Sequence, residues 1–538
     1  MATEKETRAR AAAMGKATVG GAAVVVMAGM IVSRLLGFLR YRTITEIFGR
    51  SFETDAFFAA FMLPDLLYYL ASGGALTAAF IPVFTEYLVN RKEKDAWYVA
   101  SSVFNFSVLV IAASIAAGMV FAPFLIGKMV TPGFREHPAT MSLTVTMSRI
   151  IFPMVILTSC SALCNGILHS FNHFHAPAIS WSLHNLGIIL AAVFLSSRYG
   201  IFSLCFGVLI GAASMVLVQL PVIAGKGAVY HPKMNLRHPG VSRVLKLFVP
   251  AMLGLSVTQI NLMYFPKLFG SYLGEGIVSS LEIADRILLV PLGLFGSALS
   301  MAIFPALSRK AADAGSAGEF RKTLARGIVA TLFFSVPSTV FLVIMSLPVI
   351  RFLFESRTFG LEDCEATALA LRYFAVGLAG HTALQVIARG FYALKDTTTP
   401  FITGFLSVIC ISVPGCAYLS GTALGHGGIA LSISLSTIAN MLMLFVILRS
   451  RVRELDAGAI VKSFMKIALA SALMGVTCLY MKAVLSWSHP AIQVMVNMSV
   501  SGSLFILFCF ILKVEVTAEL FSAFARKFSG RERHGKGS

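Results

Sequence analysis

The chain has 538 residues, of which 57% are apolar and 13% charged, and its mean hydropathy is +0.81. Soluble domains carry about 25% charged residues, so a water-soluble fold, a disordered chain and a disulfide scaffold are excluded and a polytopic membrane protein remains. The net charge of +19 raises nucleic acid as a partner, a question decided by where the charges lie.

A spanning helix needs about 20 apolar residues. In chain order such stretches fall at 19–48, 54–90, 98–126, 138–170, 177–197 and 201–224. They continue at 244–270, 277–308, 327–354, 365–393, 399–420, 428–448, 463–485 and 490–513. The expected fold class is therefore an all-α polytopic membrane protein with about fourteen transmembrane helices. Lys5, Arg8, Arg10 and Lys16 precede the first stretch as in a signal peptide. That stretch is too long and lacks a clean small-residue cleavage site, so it reads as an uncleaved helix.

Placing the N-terminus inside puts 29 of the 44 Lys and Arg residues in cytoplasmic segments and 10 in or beside outer loops. This bias predicts an even number of spans with both termini cytoplasmic. It also explains the basic balance without nucleic acid, because the cations are divided among seven segments rather than gathered on one face. Of the eight cysteines, seven lie in apolar stretches and only Cys364 in an outer loop, which favours packing over disulfides or metal.

An internal repeat is visible. Leu63-Pro64 leads to Phe80-Ile81-Pro82 in the second stretch, and Val290-Pro291 leads to Phe304-Pro305 in the eighth. Each lies second in a set of six. Two six-helix lobes related by pseudo-symmetry follow, with two extra C-terminal helices. The expected boundaries are 1–225, 226–450 and 451–515, with a basic cytoplasmic tail over 516–538.

Ionisable residues within spans are costly and usually face a water-filled interior. Arg34 and Arg40 are about 9 Å apart along one helix, and arginine suits a phosphate because its planar fork binds in bidentate fashion. Asp55 opens the second stretch, as an outer-gate or ion-pair acid or as a helix N-cap. Glu282, Asp285 and Arg286 cluster on the eighth stretch, where Glu282 and Arg286 form an i,i+4 pair. Arg286 would take an anionic substrate in one state and a carboxylate in another. Gln259, Asn261 and Asp65 are further cavity-lining candidates. His169, His173 and His175 look only faintly metal-like. Arg389, Lys395 and Asp396 read as a loop anchor. There is no Walker A motif, no His-Glu-x-x-His and no Gly-x-Ser-x-Gly elbow. A transporter with no cofactor and no metal is expected, driven by an ion gradient or the membrane potential.

The residues Ser33-Arg34-Leu35-Leu36-Gly37-Phe38-Leu39-Arg40, Thr54-Asp55-Ala56-Phe57-Phe58 and Ala284-Asp285-Arg286 resemble the MurJ (MviN) family, as does the run from Phe391-Tyr392-Ala393-Leu394-Lys395-Asp396 to Pro400. These are lipid II flippases of the multidrug/oligosaccharidyl-lipid/polysaccharide exporter superfamily. The resemblance implies fourteen helices, a cationic central cavity that receives the pyrophosphate of lipid II, and a lipid-tail groove at the last two helices. By position, Arg34, Arg40 and Arg286 match the family's substrate-binding arginines, and Asp55 matches a gate acid. It also implies a bacterial inner-membrane location, with membrane lipids and cell-wall synthesis proteins as candidate partners. The chain departs from the family pattern at Tyr41, where Asp is common, at Asp65-Leu66-Leu67-Tyr68-Tyr69, where Asn-Leu-Leu-Arg-Arg is common, and at Gly73, where Glu is common. The expected function is flipping of lipid II by alternating access. A flippase for another polyprenyl-linked glycan and an exporter of cationic drugs are the rival readings, and the drug exporter would want carboxylates rather than arginines.

Overall fold

The computed structural model describes residues 29, 32–71, 75–171, 173–248, 260–452 and 456–517, and among them there is no strand. The chain divides into two compact units, Met1–Gly276 and Ile277–Ser538. Residues 226–276 thus group with the first unit.

The first unit contains α1 (32–48), α2 (Phe52–Ala60), α3 (Met62–Ala71), α4 (Ala75–Val89) and α5 (Glu93–Leu125). It continues with α6 (Pro138–Ile151), α7 (Met154–Ser170), α8 (His175–Tyr199), α9 (Phe202–Ala224), α10 (239–248) and α11 (Phe265–Gly270). The second unit holds α12 (Ile277–Pro291), α13 (Ala298–Ala312), α14 (Ala317–Phe354), α15 (Leu361–Val376) and α16 (Leu378–Ala393). After these come α17 (Thr398–Ser407), α18 (Val413–Leu419), α19 (His426–Arg451), α20 (Ala457–Val484) and α21 (Pro490–Ile511).

Among the described residues, ten helical stretches are long and apolar enough to cross a bilayer. The other four expected stretches have identifiable reasons for falling outside that number. The first begins among residues that are not described, and the seventh is described only in part. The second is divided among α2, α3 and α4, and the tenth is divided at Gly377. There the chain passes so close to α19 that a Cβ on Gly377 would lie 2.8 Å from the Ser434 hydroxyl.

Proline shapes both copies of the repeat. Pro64 lies in the first turn of α3 and Pro82 inside α4, while Pro291 ends α12 and Pro305 lies inside α13. A π-helical segment, Leu292–Ser297, joins α12 to α13. Proline lacks an N–H and its ring crowds the carbonyl four residues back, which accounts for the irregular segment after Pro291, while α4 and α13 run on through Pro82 and Pro305.

Each unit has its own apolar core. In the first, Phe80, Phe84, Trp97, Val103 and Leu168 bring α4, α5 and α7 together. In the second, Leu324, Ile387, Phe391, Leu448, Ile467 and Cys509 join α14, α16, α19, α20 and α21. The two C-terminal helices therefore belong to the packing of the second unit. Asn497 of α21 donates to the Cys478 carbonyl of α20 at 2.9 Å, and Ser501 donates to Asn497 Oδ1 at 2.8 Å.

Three helices end in left-handed turns at a cation rather than at glycine: Arg91 (φ 56), Lys395 (φ 61) and Lys513 (φ 51). Each is followed by the wide hydrogen bond of a Schellman turn. Lys92 N–H donates to Tyr87 O at 3.0 Å, Asp396 N–H to Phe391 O at 2.9 Å, and Val514 N–H to Cys509 O at 2.9 Å. Gly49, Gly200 and Gly425 hold left-handed positions elsewhere.

Candidate functional site

The candidate residues fall into two groups. Arg34, Arg40, Asp55, Asp65 and Asn261 belong to the first unit, and Glu282, Asp285 and Arg286 to the second. Gln259 lies outside the described residues.

Arg34 and Arg40 share the uninterrupted helix α1, so Gly37 makes no break between them. Asn185 of α8 donates to the Ser33 carbonyl at 3.3 Å and so ties α1 beside Arg34. Gly37 faces the same amide, with room for a Cβ at 3.7 Å. Arg34 is exposed and Arg40 half-buried. The Arg40 guanidinium lies 4.7 Å from the ring centre of Tyr41, and that buried ring stacks on Phe58 of α2 at 5.7 Å. Tyr41 thus supplies a π face to the arginine and an apolar face to α2. Tyr68 is a packing residue, set beside the cluster of Ile111, Ile115, Phe152 and Val155 and edge-on to Trp181. Asp65 is half-buried in the first turn of α3, and Asn261 is buried in a π-helical segment, Ile260–Tyr264.

Asp55 does not cap its helix. Ser51 does, accepting the Thr54 N–H while Thr54 Oγ1 accepts the Ser51 N–H. Asp55 lies one turn further in, 1% exposed, and its Oδ2 accepts the Gly276 N–H at 2.6 Å. The same loop is gripped from both sides. Phe52 N–H donates to Glu275 Oε1 at 2.9 Å, and Arg50 Nη1 donates to the Glu275 carbonyl at 3.2 Å. Gly133 N–H donates to Ser271 Oγ at 3.1 Å. Gly276 has φ +79, and a Cβ there would lie 2.5 Å from Arg50 Cγ. Arg50, Glu275 and Gly276 had not stood out in the sequence. The Gly-x-Gly of Gly274-Glu275-Gly276 was the available signal for a turn needing positive φ.

In α12, Arg286 donates through Nε at 2.9 Å and Nη2 at 2.6 Å to the same Glu282 oxygen. Glu282 is the more enclosed partner, with 10% side-chain exposure against 34% for Arg286. Asp285 is half-buried one residue before the arginine. Such a pair can neutralise itself or open toward an anion without any change in the backbone.

The remaining sequence candidates are structural. Asp396 accepts from the Thr398 N–H at 3.0 Å, the Thr399 N–H at 2.9 Å, Thr399 Oγ1 at 2.7 Å, and the Arg451 guanidinium. This network holds the α16–α17 connection to the end of α19. The His173 and His175 rings lie 5.7 Å apart and tilted by 56°, and among the described residues no group of His, Cys, Asp and Glu is arranged to hold a metal.

The profile of the MurJ family, described as "Lipid II flippase MurJ", matches residues 44–497. The Lipid II flippase MurJ of Burkholderia cenocepacia is 34% identical over 433 residues, which cover 78% of this chain and 82% of that protein. The probable lipid II flippase MurJ of Buchnera aphidicola subsp. Acyrthosiphon pisum is 33% identical over 417 residues, covering 77% and 80%. Among solved structures, a lipid II flippase MurJ in an inward closed conformation matches with TM-score 0.77 and 27% identity, covering 91% of this chain and 98% of that one. An inward-facing multidrug resistance transporter of the MATE family matches with TM-score 0.64 and 15% identity, covering 82% and 99%, and shares the fold.

Proposed function

Because the chain belongs to the MurJ lipid II flippase family, we propose that this multi-pass membrane transporter flips lipid II across the bacterial inner membrane by alternating access. Arg34, Arg40 and Arg286 are its pyrophosphate-binding residues, Asp55 its gate acid, and both termini are cytoplasmic. A cationic site can draw on the membrane potential directly, at about 2.3 kcal/mol per charge per 100 mV.

The observation that carries the reading is the Glu282–Arg286 pair. A guanidinium set in an apolar helix and bound twice by a carboxylate one turn away is already shaped for a bidentate anion. A phosphate that displaces Glu282 takes over both N–H groups with the arginine side chain in place. Arg34 and Arg40 add charge on a helix that the chain holds continuous from 32 to 48.

The test is replacement of Arg34 or Arg286 by Ala in cells that rely on this copy. Loss of growth, with lipid II retained on the cytoplasmic side, is the expected result. Normal growth and normal lipid II exposure in both variants would overturn the assignment.

A further inference from the structure

Two prolines inside long helices leave carbonyls without intrahelical donors, and in each case a cation from another helix takes the place of the missing N–H. Pro123 of α5 cannot bond to Met119 O, and Arg149 of α6 donates its Nε to that oxygen at 3.0 Å. Pro348 of α14 cannot bond to Ile344 O, and Lys482 of α20 donates its Nζ to that oxygen at 3.0 Å. In both cases the acceptor is the carbonyl four residues before the proline, the one that a proline frees. The coincidence extends to the repeat, because α5 and α14 contain the third spans of the two sets of six. In both, the proline lies near the C-terminal end.

An orphan carbonyl in a bilayer costs several kcal/mol, so each cation removes a penalty that the proline creates. A side-chain donor differs from a backbone donor in one respect: it belongs to a different element. The helix end beyond the proline can bend only as far as the neighbouring helix allows, or the bond must be released.

We infer that Arg149 and Lys482 are matched positioning residues for transport, each clamping a neighbouring helix to the proline-weakened end of a third span. Each bonds a backbone carbonyl of the neighbouring helix and sets the angle of the helix end during the exchange between states. The donors come from different places in the two halves. Arg149 is on the next helix of its own repeat, whereas Lys482 is on the first of the two added C-terminal helices. This gives α20 a mechanical task in the second half that α6 performs in the first.

The inference rests on the flippase reading for its transport arm alone, and the experiment separates the two. Lys482→Met and Arg149→Met keep an unbranched apolar stem and remove the donor. Pro348→Ala and Pro123→Ala restore the backbone N–H, so the paired double variants no longer need the cation. Thermal unfolding of the full-length purified proteins and lipid II flipping in reconstituted vesicles are the two readouts. The single Met variants are expected to unfold several degrees lower and to flip about tenfold more slowly, the size of one charged hydrogen bond. The double variants are expected to recover thermal stability but not flipping, because a continuous helix no longer bends. Recovery of both would reduce the cations to static caps and overturn the positioning role, and unchanged stability in the single variants would overturn the cap itself. Absence of flipping by the unaltered protein would count against the function, while the stability comparison would still decide the cap.

Discussion

Arg286 is bound by Glu282 four residues away on one helix, whereas Asp55 is bound by the backbone of Gly276, 221 residues along the chain. The first contact is local. It opens or closes by side-chain rotation and leaves α12 as it was. The second is a clasp between the start of α2 and the loop after α11, and it opens only if that loop moves. A local pair suits exchange of a carboxylate for an anionic ligand, and a non-local bond to a backbone amide suits the holding of one conformation. Glu282 and Asp55 therefore make contacts of different kinds, one exchangeable by side-chain rotation and one dependent on movement of a loop.

Removing each partner in turn would sharpen that division. Asp55→Ala is expected to have the largest effect, because it removes a buried carboxylate that accepts the Gly276 N–H at 2.6 Å. A charged hydrogen bond of about 1.5–3 kcal/mol is lost, and lipid II flipping should fall at least tenfold. Asp55→Asn, which keeps an acceptor, should fall less; equal losses would show that charge alone matters there. Next is Glu282→Gln. With that carboxylate neutralised, Glu282 competes less for Arg286, so native mass spectrometry should find lipid II retained several-fold more tightly. Weaker retention would mean that Glu282 positions the arginine rather than competes for it.

Much of this arrangement could be read from the residues, but unevenly. The pair in α12 was legible because helical periodicity alone sets an i,i+4 contact. The clasp was not, because nothing local connects Asp55 with Gly276. The sequence reading had therefore left a helix N-cap open for Asp55, where the structure gives that position to Ser51. Long apolar stretches such as 327–354 were plain. The second is interrupted at Phe61 and the tenth at Gly377, so each appears as shorter helices. Tyr41 was visible only as a departure from the family pattern, since its place between Arg40 and Phe58 depends on two helices meeting.

Gly276→Ala probes the clasp from its other side. It forces a Cβ into a left-handed position that also lies against Arg50, and should cost about 1–2 kcal/mol, read as a lower unfolding temperature with Asp55 intact. The smallest effect concerns Asp396, which is held by a network outside the membrane. Its partial burial raises the carboxyl pKa, but hydrogen bonds from Thr399, the Arg451 guanidinium and the Thr398 N–H together outweigh this and hold it below the usual carboxylate range. The stability it contributes is fully present above the ordinary aspartate value of about 3.9 and is lost as pH falls through the lower folded value. Arg451→Met should lower the unfolding temperature slightly at pH 7 and by less at strongly acidic pH, where only its contacts with Thr399 and Phe391 are lost.

The left-handed turns at Arg91, Lys395 and Lys513 bear on how the protein is made. Glycine would adopt φ near +55 without the penalty of about 1 kcal/mol that a side chain incurs. All three cations fall in connections that the charge bias assigns to the cytoplasm, while the positive-φ glycines at 49, 200 and 425 fall in connections assigned to the other side. Gly227 is the exception. At these three positions the residue that favours the finished turn and the residue that anchors a nascent loop against translocation are different, and the chain carries the second. In the orientation expected from the charge bias, these three turns favour the direction of insertion over the stability of the finished fold.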